Sequence, residues 1–262
     1  MHNAHKDEMS DSINGPDRAV LITGGARRIG RALALDLARV GYRVAITYRQ
    51  SQDEALRTVA DCQALGVHAE AFALDIRSQA EIAATVSAVL QRFGPIDALV
   101  NNAAVFDSVA LEAMTSERWD ATFGVNVRGP MLMTQALLPQ LRARGGRVVH
   151  LGSLGGSRAW PSHAHYCSAK AALEMLTRTM ARAFAPEVSV NCVAPGWIEM
   201  DVAKAPANAD SDAAVAARFV AKTPMGRNGR AEDVAEAVRF FLTGPKFITG
   251  QVLAVDGGLG LV

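Results

Sequence analysis

The chain has 262 residues, of which 50% are hydrophobic and 20% are charged, and this balance excludes an intrinsically disordered protein. The 27 basic and 26 acidic residues nearly cancel, so the charge gives no support for a nucleic-acid partner or an acidic partner. No run approaches the roughly 18 consecutive apolar residues of a membrane span, so we expect no membrane partner.

The chain begins with a polar stretch, residues 1–17, that lacks the apolar segment of a secretory signal. We predict that this stretch is a flexible tail. The cysteines Cys62, Cys167 and Cys192 are far apart and form no CxxC motif, which favours reduced thiols in a cytoplasmic protein. No metal-ligand spacing occurs, so we predict no metal site.

Short apolar runs alternate with helical patterns along the rest of the chain. The predicted strands are residues 19–23, 43–47, 67–74, 98–100, 147–151, 188–193 and 252–255. The predicted helices are residues 28–40, 51–65, 78–93, 116–144, 164–184 and 231–242. Ser51 is the predicted cap of the second helix, and Gly129-Pro130 predicts a kink or break in the fourth.

This alternation predicts βαβ units in a single α/β domain over residues 18–262, with a doubly wound parallel sheet and helices on both faces. The strands are apolar throughout, as a sheet covered on both faces requires. Residues 196–224 are rich in Ala and Pro, which predicts either a flexible lid or a small helical insertion over a binding site.

A glycine-rich turn, Thr23–Gly30, lies between the first predicted strand and its helix. Glycines let the backbone approach a phosphate, and the helix N-terminus offers unpaired N–H groups and the positive end of its dipole. The strand–turn–helix context therefore predicts a nucleotide-binding turn.

The end of the second strand indicates which nucleotide binds there. NAD-binding folds usually place an acid at this point to hold the ribose 2′-hydroxyl. Here Tyr48-Arg49 follows the strand, and no acid occurs before Asp53. Arg49 joins Arg27 and Arg28 of the glycine turn, and three guanidinium groups suit a 2′-phosphate. The sequence therefore predicts NADPH rather than NADH.

A tyrosine and a lysine share one face of the fifth predicted helix. Tyr166 and Lys170 are four residues apart. A free tyrosine titrates near pH ~10, and a neighbouring ammonium group would lower its pKa. Ser153 follows the predicted strand 147–151, at the end of the sheet where such folds bind ligands, and its hydroxyl could hydrogen-bond a substrate oxygen.

Taken together, these motifs resemble the short-chain dehydrogenase/reductase family. The matching segments occur in the family's order and spacing over about residues 18–262. They are Thr23–Gly30, Asn101-Asn102-Ala103-Ala104, Asn126, Ser153, Tyr166-x-x-x-Lys170 and Pro195-Gly196. The resemblance implies a Rossmann fold with a seven-stranded parallel sheet, a nicotinamide cofactor and a homotetramer. The apolar segment 250–262 could be an interface element of that tetramer, although a buried last strand would explain it equally well.

The resemblance also implies a role for each matching residue. Tyr166 would donate a proton, Lys170 would bind the ribose and lower the tyrosine pKa, Ser153 would orient the substrate, and Asn126 would hold a water that links Lys170 to solvent. The residues expected to contact NADPH are Gly24, Arg27, Arg28, Ile29, Gly30, Tyr48, Arg49, Ser51, Asp75, Asn102, Ala103, Tyr166, Lys170, Pro195 and Gly196.

The sequence does not decide the substrate, because different residues favour different substrate classes. Arg28 replaces the usual middle glycine of the turn, and this variant resembles the NADPH-dependent pteridine reductases and dihydromonapterin reductases. Phe106 matches the aromatic residue that stacks on the pterin ring in that group, although it could equally be a packing residue. Ser153 instead resembles the choice of 3-oxoacyl-carrier-protein reductases, as does the stretch that contains Trp197, a candidate wall of the substrate pocket.

We therefore predict an NADPH-dependent reductase of a C=N or C=O bond, with a pterin or similar planar heterocycle as the favoured substrate. A 3-oxoacyl thioester or a small ketone is the alternative. A nucleotide-sensing protein on a reductase fold is a third hypothesis, because a fold does not fix a function. The complete set of Asn126, Ser153, Tyr166 and Lys170 argues for catalysis.

Overall fold

Seven strands form one parallel sheet in the computed structural model, which describes residues 18–199 and 209–262. The strands are Ala19–Ile22 (β1), Arg43–Tyr48 (β2), Ala69–Ala73 (β3), Ala98–Asn101 (β4), Arg147–Leu151 (β5), Ser189–Pro195 (β6) and Val252–Val255 (β7). The helices are Arg28–Arg39 (α1), Gln52–Ala64 (α2), Gln79–Phe93 (α3), Ser116–Phe123 (α4), Gly129–Arg144 (α5), Ala164–Phe184 (α6), Ala209–Lys222 (α7) and Ala231–Thr243 (α8).

The strand order is β3-β2-β1-β4-β5-β6-β7, and every neighbouring pair is parallel. The chain runs outward from β1 to β3 and then returns to place β4 on the other side of β1. The crossover direction therefore reverses between β1 and β4, and open α/β sheets bind ligands beyond the carboxyl ends of the strands at such a point. The predicted doubly wound α/β fold is confirmed.

Helices cover both faces of the sheet, and each face has its own apolar core. One core joins the sheet to α1, α2 and α8, with Leu33, Leu37 and Val238 fully buried. The other joins it to α3, α5 and α6, with Met133 and Leu137 fully buried. Burial on both faces explains why the strands read as uninterrupted apolar runs.

The predicted helical region 116–144 is interrupted, and the interruption lies just before the predicted Gly129-Pro130. Helix α4 ends at Phe123, residues Gly124–Arg128 form one π-helical turn, and α5 begins at Gly129. Pro130 lies in the first turn of α5, where its missing N–H has no helical partner to lose. The break therefore comes from the π turn, which a local sequence pattern does not reveal.

The structure also corrects two smaller predictions, the Ser51 cap and the burial of the last strand. Ser51 precedes α2 at the predicted position, but its side chain makes no capping hydrogen bond. The last strand, β7, lies at the sheet edge and is not buried, since the Leu253 side chain is 39% exposed. Burial within one chain therefore does not explain the apolar character of residues 250–262.

The Ala- and Pro-rich segment contains a helix, as one of the two alternatives predicted. Helix α7, Ala209–Lys222, occupies its second half. The earlier part, residues 200–208, lies outside the described residues, as does the predicted tail 1–17.

Candidate active site

The glycine turn after β1 is built so that two backbones approach closely. Gly24 has a φ of 65°, and a Cβ there would lie 3.0 Å from the Cα of Ala103. A Cβ on Gly30 would lie 2.1 Å from the carbonyl oxygen of Gly24. These two positions require glycine, and the turn keeps the first N–H groups of α1 open for an anionic ligand.

Thr23 and Asn102 hold the turn against the end of β4. The Thr23 hydroxyl oxygen accepts hydrogen bonds from the backbone N–H groups of Asn102 and Ala103, both at 3.0 Å. The Asn102 side-chain Nδ2 donates to the carbonyl oxygens of Thr23 and Gly24, both at 2.9 Å. Asn102 therefore lies beside the glycine turn, and its amide nitrogen is used to shape that turn.

The predicted arginines lie at the same end of the sheet. Arg27 precedes α1 without making a side-chain cap, and the first turn of α1 holds no acid that would neutralise it. Burial and the charge of Arg27 lower the pKa of Arg28. The pKa of Asp75 is lowered to about 2, mainly by the hydrogen bond from Arg77, and the charge of Arg49 contributes. Arg27 and Arg28 therefore interact through their charges at the glycine turn, and Arg49 lies close enough to Asp75 to act on it, while Arg77 engages that carboxylate directly.

Ser153 and Tyr166 meet above the end of β5. Ser153 is buried, and its Oγ accepts a hydrogen bond from the Gly155 N–H at 3.1 Å. Burial raises the pKa of Tyr166, and a hydrogen bond with Ser153 acts in the opposite direction. The expected lowering of the tyrosine pKa by Lys170 is therefore not observed, because desolvation of the phenol dominates. A raised pKa keeps the phenol protonated, as a proton donor must be.

Lys170 is a buried cation directly beside this pair. Its Nζ lies 5.7 Å from the centre of the Tyr166 ring and donates a hydrogen bond to the carbonyl oxygen of Leu151 at 2.7 Å. Burial lowers the pKa of Lys170 to about 8, while Cys192 and Glu174 act to raise it. Lys170 is therefore held at the carboxyl end of β5. Its lowered pKa means that the side chain begins to lose its charge just above neutral pH.

Asn126 lies in the π turn and anchors the loop that follows β4. Its Oδ1 accepts from the Val105 N–H at 2.9 Å, and its Nδ2 donates to the Val105 carbonyl oxygen at 3.0 Å. The buried side chain is thus used to fix this loop. The water that we expect at Asn126 would have to bind to its main chain.

Three rings form an aromatic cluster with Tyr166, the predicted proton donor. Phe106 stacks on His163, with ring centres 4.7 Å apart, and presents a perpendicular contact to Tyr166 at the same distance. Trp160 stacks on Tyr166 at 6.2 Å. Phe106 is 59% exposed, so it is a surface ring at the site and not part of the apolar core.

Comparison with known proteins identifies the family of this chain. A family model described as enoyl-(acyl carrier protein) reductase matches residues 24–260. The chain belongs to the short-chain dehydrogenase/reductase family. It is a nicotinamide-dependent oxidoreductase, and the predicted use of NADP(H) agrees with the relatives described next.

The family relatives include both curated proteins and solved structures. A 3-oxoacyl-[acyl-carrier-protein] reductase of Staphylococcus epidermidis is 35% identical over 246 residues, which are 93% of this chain and 99% of the relative. The same enzyme of Synechocystis is also 35% identical over 92% of this chain and 96% of the relative. A gluconate 5-dehydrogenase of Burkholderia cenocepacia, solved with NADP and tartrate, has a TM-score of 0.86 and 31% identity over 96% of this chain and 98% of that one. An acetoin dehydrogenase of Salmonella typhimurium has a TM-score of 0.82 and 30% identity over 94% of this chain and 97% of that one.

The remaining predicted residues of this family member have structural contacts around the site. Trp197 stacks on Phe219 of α7 at 4.1 Å, so it packs against the helix in the second half of the segment that we predicted as a lid. The Gly196 N–H donates to Val255 at 3.0 Å, and Pro195 pairs in register with the same residue. Ile29 and Tyr48 are predicted cofactor contacts that also pack against the core on the α1 side of the sheet, and Ser51 follows Tyr48 by three residues.

Sequence reasoning missed three residues near the reductase site: Trp160, His163 and His165. The first two complete the aromatic cluster, and the third is a buried imidazole immediately before Tyr166. Their concentration just before Tyr166, the predicted proton donor, was the available signal. Within the described residues, no helix has the length and apolar character needed to cross a membrane.

Proposed function

We propose that this reductase uses NADPH to reduce the ketone of a 3-oxoacyl thioester. The observation that carries the proposal is the pairing of Ser153 with Tyr166: a neutral hydroxyl, not a carboxylic acid, stands beside the proton donor. A carbonyl oxygen needs hydrogen-bond donors and one proton, which two hydroxyl groups supply. The Staphylococcus and Synechocystis relatives support this choice, because their names state the same reaction class.

In the proposed reaction, three side chains of the protein have separate roles. Tyr166 transfers its hydroxyl proton to the substrate oxygen, and Ser153 donates a hydrogen bond to the same oxygen. The nicotinamide, when bound, supplies the hydride that forms the new C–H bond. The Lys170 ammonium stabilises negative charge as it develops on the Tyr166 oxygen, and Leu151 fixes the position of that ammonium.

The cofactor part of the proposal concerns NADPH in preference to NADH. Arg27, Arg28 and Arg49 fit a 2′-phosphate, since guanidinium groups bind phosphate through paired hydrogen bonds. The close approach at Gly24 and the open start of α1 fit the pyrophosphate.

A second candidate substrate is a pterin, and one observation favours it. The Phe106 ring is exposed and stands perpendicular to Tyr166, so a flat heterocycle could stack on it within reach of the proton donor. Phe106 and Arg28 support this candidate, whereas Ser153 does not.

NADPH oxidation, followed by absorbance, tests the two candidates side by side. Acetoacetyl thioester and a dihydropterin are compared with NADPH and with NADH, and Tyr166→Phe is the inactive control, with an expected loss of about 10²-fold or more. Turnover of the thioester alone supports the main proposal, and turnover of the pterin alone replaces it. Tight NADPH binding without turnover of either compound would favour the nucleotide-sensing hypothesis.

A further inference from the structure

Two consecutive pairs of residues meet where the loop 102–110 crosses the start of α6. The rings of Phe106 and Tyr166 form one pair, with centres 4.7 Å apart and planes at 79°. The residue after Phe106 and the residue before Tyr166 form the other pair, since the Asp107 Oδ1 lies 2.5 Å from the His165 Nε2. The carboxylate–imidazole contact is therefore directly adjacent, in both segments, to the contact between the exposed ring and the proton donor.

The imidazole of His165 is fully buried, whereas the Asp107 side chain is 43% exposed. Because the carboxylate accepts, Nε2 carries the hydrogen, and the buried Nδ1 has no hydrogen-bond partner among the described residues. A buried polar atom without a partner is unfavourable. The hydrogen bond from His165 is the main reason that the pKa of Asp107 is lowered, so the carboxylate is charged at neutral pH.

The second oxygen of Asp107 reaches a different element. Its Oδ2 accepts a hydrogen bond from Arg118 at 3.1 Å, and Arg118 lies in α4, which leads into the π turn that holds Asn126. Asp107 thus connects three segments that carry residues of the site. The Arg118 side chain is 52% exposed, and an exposed ion pair of this kind contributes little.

We propose that Asp107 and His165 are positioning residues of this reductase. Their contact holds the Phe106 ring against Tyr166 and fixes the first turn of α6, so that the phenol meets the substrate oxygen in one orientation. The backbone supports the same junction through a hydrogen bond from the Val109 N–H to the Ser162 carbonyl oxygen at 2.9 Å.

Deletion and rescue variants test the proposal. His165→Leu and Asp107→Ala each remove one side of the contact, and His165→Gln restores an N–H donor at a similar distance from the backbone. Arg118→Gln is the matched control, because it removes the other partner of the same carboxylate. The measurements are kcat/KM for the reduced substrate, the Kd of NADPH, and amide hydrogen exchange over residues 102–110 and 161–170.

We expect each deletion to lower kcat/KM about tenfold or more, since small displacements of reacting groups have effects of this size. The Kd of NADPH should stay within about twofold, His165→Gln should recover most of the activity, and the double variant should be no worse than either single one. Arg118→Gln should stay within about threefold of the parent. Unchanged kcat/KM in both deletion variants, or losses that simply multiply in the double variant, would overturn the proposal.

The kinetic measurement rests on the proposed reductase activity, whereas the exchange measurement does not. If the parent enzyme reduces neither the thioester nor the pterin, the proposed function fails and the exchange data alone decide this proposal. Faster exchange in both segments for Asp107→Ala, with no change for Arg118→Gln, supports it. Unchanged exchange, or faster exchange throughout the chain together with weaker NADPH binding, contradicts it.

Discussion

Replacing Lys170 by Met is expected to stabilise the fold at pH 7 and to remove activity. Burial lowers the pKa of this lysine from 10.5 to about 8. Each unit of pKa is worth 1.36 kcal/mol, so keeping the ammonium charged inside the protein costs about 3 kcal/mol. Methionine removes that cost but leaves the Leu151 carbonyl without the hydrogen bond from Nζ, a loss of about 1–3 kcal/mol. The expected net gain at pH 7 is on the order of 1 kcal/mol.

The dependence on pH makes the prediction specific. Between pH 8 and 10.5 the folded protein binds fewer protons at Lys170 than the unfolded chain does, so the free energy of unfolding of the parent rises with pH through this window. The Met variant lacks this term. Its advantage should therefore shrink above pH 8 and reverse near pH 10, where only the lost hydrogen bond with Leu151 remains.

Urea unfolding of the parent and of Lys170→Met at pH 7 and at pH 10 measures both effects. The parent and variant share every other titrating group, so the difference between them isolates this lysine. A variant that is less stable than the parent at pH 7, by an amount that does not change at pH 10, would refute the reasoning. That result would mean that the ammonium group is well solvated or well paired in the folded protein.

Four other expectations follow from the contacts. Activity should fall as pH rises through about 8, where Lys170 loses its proton, and Glu174→Gln should move this midpoint of the pH–rate profile downward, because the charge of Glu174 raises the pKa of Lys170. Arg49→Ala should raise the KM for NADPH about tenfold and leave that for NADH nearly unchanged, since only NADPH carries the 2′-phosphate. Asn126→Ala should lower the free energy of unfolding by about 2–3 kcal/mol in a thermal or urea melt, because two buried hydrogen bonds are lost. Phe247→Asp should dissociate the predicted homotetramer in a light-scattering measurement, since this fully exposed ring lies three residues before the predicted interface segment 250–262, and an unchanged mass would contradict an interface through Phe247.

The sequence predicts regular elements well where a local pattern decides them. The bounds of β5, α6 and β7 agree with the prediction, and most other helices and strands differ by one or two residues at their ends. These elements have uninterrupted apolar runs or a helical period, and the alternation of the two led directly to the parallel sheet.

Elements that depend on distant contacts are the ones that prediction missed. The π turn before Gly129 contains Asn126, and the Asn126 side chain makes two hydrogen bonds with Val105, which is 21 residues away. The contact between Asp107 and His165 spans 58 residues. Neither pair leaves a periodic signal, so local reasoning can name Asn126 through a resemblance but cannot say what its side chain holds.

Arg28 replaces the usual middle glycine of the nucleotide turn, and the structure shows what this replacement costs. It has a φ of 53°, a left-handed conformation in which a side chain costs about 1 kcal/mol relative to glycine. Its position beside Arg27 adds repulsion, which acts together with partial burial to lower the pKa of its guanidinium. A residue that is unfavourable by backbone conformation and by charge is better explained by a ligand than by the fold. We therefore propose that Arg28 binds an anion at this turn, and the phosphates of NADPH are the anion that the proposed function supplies.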